Sequence, residues 1–155
     1  MPLYSSIRSL IFFSLFITLM AACSQRKEAE VKRAVDVLSE VKDLCDKDSF
    51  PRNDSILNFP VKVFMRENMD SCLAVAYFCQ GEINQKNFYL LRAIDSYVQA
   101  GEFVGSDSLL NFKINLELAK IYRFKMRHDM EREYINSAEQ LLHSLHDSLA
   151  NVEFL

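Results

Sequence analysis

Glycine and proline are scarce in this chain. Only Gly81, Gly101 and Gly105 occur in 155 residues, and beyond the N-terminal segment proline stands only at Pro51 and Pro60. Strand-rich folds need frequent turn residues and doubly wound folds need glycine turns, so both are disfavoured. Neither GxGxxG nor a GxxxxGKS/T loop is present, and phosphate cradling has no sequence support. There is no GxSxG elbow to present a serine nucleophile and no HExxH pair to hold a catalytic metal. Without a CxxC pair, a structural zinc site is not expected either. Bases and acids are interspersed around a formal charge of −3, with no basic block of the kind that binds nucleic-acid phosphates. The longest apolar segment falls short of the ~20 residues that span a bilayer.

That segment, Leu10 to Ala22, is interrupted only by Ser14 and Thr18 and follows a start whose one charge is Arg8. A short apolar core after a basic start and before small residues is the pattern of a cleaved secretory signal. Its end, Met20-Ala21-Ala22-Cys23, resembles the lipobox of bacterial lipoproteins, with Met20 in place of the usual leucine. The resemblance implies that the Cys23 thiol receives a diacylglyceryl group, that cleavage falls just before it, and that its new amino group is acylated, as with palmitate. Each buried methylene of such chains contributes ~0.8 kcal/mol, so three chains tether a protein without any spanning helix. Residues 1–22 are then the signal, and the expected location is a membrane of the bacterial cell envelope, facing the periplasm. Removing the signal takes away one base and no acid, which moves the charge from −3 to −4. Residues 23–155 are the size of one ordinary domain.

The remaining chain reads as helices joined by short polar loops. Val31, Val35, Leu38, Val41 and Cys45 recur at helical spacing over Lys27–Lys47. Residues 46–54 form a polar loop, after which Asp54 or Ser55 is expected to cap a helix reaching Glu67. Within that helix Pro60, lacking an amide proton, must kink it or mark its true start. Asp70 or Ser71 opens a further helix to about Gln85. Asn87 leads into another that Gly101 is placed to end. Ser106 and Asp107 cap a helix to about Met126, and a last helix covers Asp129–Ser148. Its apolar stripe is Tyr134, Ala138, Leu141, Leu142, Leu145 and Leu149. The fold class is all-α, with an N-terminal helix and linker over 23–53 and a helical domain over 54–155.

A shift of 38 residues lays Gly81 on Ala119, Ile83 on Ile121, Tyr97 on Ile135 and Ala100 on Ala138. Periods of 20 to 50 residues indicate stacked helical hairpins. Tyr77, Gly81, Ala93, Tyr97 and Ala100 resemble, in order and spacing, the aromatic–Gly–Ala–aromatic–Ala pattern of a tetratricopeptide repeat. Asn84 departs from it, because an aromatic is usual there. In the second unit Ala119, Tyr122 and Ala138 fit, while Glu131 stands where the pattern has a packing alanine. Residues 53–83 also resemble the N-terminal regions of tetratricopeptide lipoproteins and sensor-regulators of the Bacteroidota group. The resemblance implies antiparallel hairpins stacked as a short solenoid whose first helices line a concave, partner-binding wall. Carried onto this chain, the wall is Phe78, Glu82, Gln85 and Lys86, joined by Leu116, Lys120 and Arg123. Lys86, Lys120 and Arg123 suit a carboxylate, since charge-assisted hydrogen bonds are the strong ones.

Other chemistry is thin. Cys72 and Cys79 lie seven residues apart on one expected helix, ~10.5 Å between Cα atoms, beyond disulfide reach. Cys45 could meet either one in an oxidising compartment, but the simpler reading is three free cysteines packed as small apolar residues. His143 and His146, with Glu139 and Asp147, share the last helix at spacings of three and four. A solvated polar stripe explains them without a metal. His128 falls between helices, as a helix-start or surface residue. The expectation is a non-enzymatic, lipid-anchored interaction scaffold that needs no cofactor and no nucleic acid, and binds an unidentified protein or peptide. The alternatives are the sensor region of a longer tetratricopeptide regulator, or a metal-binding bundle using His143 and His146.

Overall fold

A computed structural model describes the backbone of residues 3–152 and the side chains of residues 24–146. The expected lipidation site, Cys23, lies outside the described side chains, as do Asp147 and Leu149. Six α-helices and a 3-10 turn make up the described chain, which contains no strand: α1 (Leu3–Asp46), the turn Asp54–Leu57, α2 (Asn58–Glu67), α3 (Asp70–Lys86), α4 (Leu90–Phe103), α5 (Ser108–Phe124) and α6 (His128–Val152). The all-α expectation therefore holds. Among the described residues no helix is long and apolar enough to cross a membrane.

Several boundaries differ from the sequence reading, each for a local reason. The N-terminal helix is continuous from Leu3, across Cys23, to Asp46. On its buried face Ala34, rather than Val35, joins Leu38, Val41 and Cys45. Asn53 caps the 3-10 turn by accepting from the Ser55 amide at 3.1 Å, in place of Asp54 or Ser55. Pro60 is the third residue of α2, where an amide has no intrahelical partner, so it marks a helix start rather than a kink. Gly101 does not end α4, which runs on to Phe103, and the left-handed residue in the following turn is Gly105 at φ +55°. Asp107 caps α5 as expected, accepting from the Leu110 amide at 2.9 Å.

The short connections fold neighbouring helices against each other. α3 packs most extensively on α4, and α5 on α6; α1 packs on α2 and α3, α2 on α3, and α5 on α4 and α3. Every helix thus meets only helices one or two places along the chain, among the described residues.

The same turn closes α1, α2, α3 and α5, while α4 ends differently. After α3, Phe88 takes φ +61°, its amide bonds the Gln85 carbonyl and the Tyr89 amide bonds the Asn84 carbonyl at 2.8 Å. After α5, Met126 takes φ +55°, bonding Arg123, and the Arg127 amide bonds Tyr122 at 2.9 Å. These are the paired bonds of a Schellman cap, repeated 38 residues apart. Asn68 after α2 and Asp48 after α1 close the same way.

Inside the first hairpin the contact between helices is tight. Tyr97 is 0 % exposed, and a Cβ added at Gly81 would lie 2.5 Å from its ring. Ala93 and Ala100 are fully buried beside it, and Phe78 meets the Tyr97 ring at 5.6 Å between centroids. Asn84, 2 % exposed, donates to Asp54 Oδ2 at 2.8 Å. The 3-10 turn therefore satisfies a polar side chain at the position where the repeat pattern carries an aromatic. In the second hairpin the equivalent position is Tyr122, stacked on Tyr134 at 5.5 Å.

Candidate functional site

The C-terminal half of α3, the facing part of α5 and the loop after α1 enclose a groove of about 540 Å³. Its walls include Asp48, Phe50, Glu82, Gln85, Lys86, Phe88, Tyr97, Glu117 and Lys120. A hollow of about 230 Å³ shares Gln85, Phe88 and Lys120 with it and extends along Leu90, Ile121 and Phe124. One apolar wall thus runs past a polar floor.

That floor is a single chain of hydrogen bonds. The Tyr97 hydroxyl donates to Gln85 Oε1 at 2.8 Å, and Gln85 Nε2 donates to Glu117 Oε2 at 3.1 Å. Lys120 Nζ closes on Glu117 Oε1 at 2.6 Å. Gln85 therefore ties the first hairpin to α5. At the rim, Lys86 Nζ pairs with Asp48 at 2.9 Å and lies 5.0 Å from the centre of the Phe50 ring.

The seven residues assigned to the wall from sequence divide in two. Glu82, Gln85, Lys86 and Lys120 line the groove. Phe78 turns into the core against Tyr97, and Leu116 is half-buried. Arg123 pairs across its own hairpin with Glu131, the residue at the alanine position of the second unit, which His128 Nδ1 also contacts at 2.9 Å. Each of the three cations read as a carboxylate clamp already has an acidic partner. The sequence reading did not include Asp48, Phe50, Phe88, Leu90, Glu117, Ile121 and Phe124. Most of these sit in or beside turns, where helical periodicity carries no signal.

Phe88 stands out among them. It is 78 % exposed and holds a left-handed backbone conformation that costs a residue with a Cβ roughly 1 kcal/mol or more. Glycine or asparagine would suit both its backbone and its solvation better.

Under the groove floor the fold gathers Cys45, Cys79 and Glu82, whose ligating atoms all lie within 4.8 Å of one another. Both thiols are buried and unbridged. The neighbouring Cys45 thiol and burial push the Cys79 thiol well above its ordinary range. Burial, with Glu117 and Asp46 adding, raises the Glu82 carboxyl to about 7. Cys72, half-buried on the same helix, lies outside this cluster. His143 and His146 are exposed on α6, and among the described residues no third ligand joins them.

No known protein family, curated protein or solved structure matches the chain.

Proposed function

We propose that the chain is a lipid-anchored, non-enzymatic interaction scaffold of the bacterial cell envelope, built as a short tetratricopeptide-like solenoid. The solenoid reading is supported by packing confined to near neighbours along the chain and by the Schellman turn repeated after 38 residues. The observation that carries the binding role is Phe88, an exposed aromatic kept in a costly backbone conformation on the groove wall. Strain of this kind is maintained where surrounding structure or function requires it. The groove presents an extended segment with an apolar wall (Phe50, Phe88, Ile121, Phe124) and a floor of amide and paired charges.

The nucleophiles beside Glu82 are the buried Cys45 and Cys79 thiols, and neither lines the groove, which favours binding over catalysis there. The anchor rests on the lipobox-like end of the N-terminal apolar segment, with Cys23 as the acylated residue.

Both halves are tested together by quantitative capture from envelope membranes using wild type, Cys23→Ser and Phe88→Asn. Cys23→Ser should leave the membrane fraction and lose the acyl mass. Phe88→Asn should stay anchored and helical yet lose captured partners by tenfold or more. Unchanged mass and fractionation for Cys23→Ser would refute the anchor, and an unchanged partner profile for Phe88→Asn would refute the groove.

A further inference from the structure

We propose that Cys45, Cys79 and Glu82 form a binding site for a thiolate-seeking divalent cation of the zinc class. Cys79 and Glu82 are three residues apart on α3 and so share one helix face. Cys45 reaches them from the last turn of α1, which packs on α3. The three ligating atoms lie within 4.8 Å of one another. A tetrahedral zinc ion with bonds of about 2.0–2.3 Å needs its ligand atoms roughly 3.5–4 Å apart. Closure therefore requires the ligand atoms to draw together by about 1 Å.

The donor set selects the ion, because two thiolates favour zinc over calcium or magnesium, which prefer oxygen. Glu82 is half-buried and takes part in no hydrogen bond or ion pair among the described residues, whereas neighbouring Glu117 holds both Gln85 and Lys120. A carboxylate left without a partner beside two buried thiols is what a cation would complete. Glu82 also lines the groove, and a tetrahedral ion held by three protein ligands keeps a fourth position for water or another donor. On binding, two S–H bonds break, two metal–sulfur bonds form and both protons leave to solvent. This site stands independently of the scaffold reading and of His143 and His146.

The test uses the full chain, purified with reductant, and Zn2+ competed against a chromophoric chelator. Cd2+ serves as a second probe whose sulfur-to-metal charge-transfer absorption reports thiolate ligation. One equivalent should bind with that absorption. Affinity should fall at least 100-fold in Cys45→Ala and Cys79→Ala, about tenfold in Glu82→Gln, and stay unchanged in Cys72→Ala. Should either cysteine variant fail to fold, alkylation of the wild type decides. Zn2+ should protect Cys45 and Cys79, as mapped by peptide mass, and leave Cys72 reactive. The proposal is overturned if Zn2+ protects neither thiol, if binding survives loss of Cys45, or if the reduced protein takes up no metal. In that last case an intact mass short of two hydrogens, when purified without reductant, would assign the pair as a disulfide instead.

Discussion

The hairpins α3–α4 and α5–α6 close with the same backbone hydrogen bonds, yet α3 buries nine residues, whereas Ala138 is the buried hydrophobic residue of α6 among the described side chains. In the first hairpin Gly81 lets α3 approach the Tyr97 ring, and Ala93 and Ala100 complete the seam. In the second, Ala119 and Ile135 replace Gly81 and Tyr97, Glu131 puts a carboxylate at the packing-alanine position, and Leu142 remains 53 % exposed. A turn is therefore a property of the backbone and recurs whatever packs behind it. How closely two helices approach is decided by individual side chains. The first hairpin, the more closely packed, supplies most of the groove lining, and α5 of the second supplies its far wall.

The largest effect expected from breaking this contrast is at Gly81. Gly81→Leu forces atoms into the fully buried Tyr97 ring and should cost ~3 kcal/mol or more, with loss of cooperative melting. Ala119→Leu, against the looser seam, should cost ~1–2 kcal/mol in the same denaturant titration. Gly101→Ala should have the opposite sign. An added Cβ there meets nothing within 4 Å, and alanine gains up to ~1 kcal/mol in a helix interior. Equal losses at Gly81 and Ala119, or a loss at Gly101, would contradict the packing described.

A smaller effect sharpens the likeness of the two turns. Phe88→Asn and Met126→Asn each relieve a left-handed backbone at a side chain 78 % and 81 % exposed, so each should stabilise by ~0.5–1 kcal/mol. Thermal unfolding would show melting temperatures rising together. A fall for either would mean that its side chain packs against the fold.

The helices were legible in the sequence because apolar spacing of three and four is a direct imprint of the buried face, as at Leu38, Val41 and Cys45. The tight seam was legible through the resemblance of Gly81, Ala93, Tyr97 and Ala100 to the repeat pattern, and Gly81 does lie against the Tyr97 ring. What periodicity could not reveal lies at helix ends. Helix α4 passes through Gly101 because an exposed glycine costs too little to stop it. Phe88 and Met126 occupy left-handed turn positions where glycine or asparagine would be expected. The acidic partners of Lys86, Lys120 and Arg123 come from a loop, the same helix and the next helix. Cys45 meets Cys79 across 34 positions of chain, where the sequence alone leaves Cys72 and Cys79 as equal candidates. The repeat pattern is legible where its residues touch one another, and the groove is not, because its lining comes from separate helices and the loop after α1.

The central claim is that the groove face of the first hairpin, and not the turn geometry it shares with the second, receives the partner. Phe88 and Met126 occupy the same position of the same turn, are equally exposed, and differ in that Phe88 lines the groove. A photoreactive phenylalanine analogue placed at one or the other position of the full chain reads this directly after irradiation of intact cells. The account predicts discrete cross-linked adducts from position 88 at a yield at least fivefold above position 126. Equal yields from both positions, or adducts from 126 alone, would contradict it.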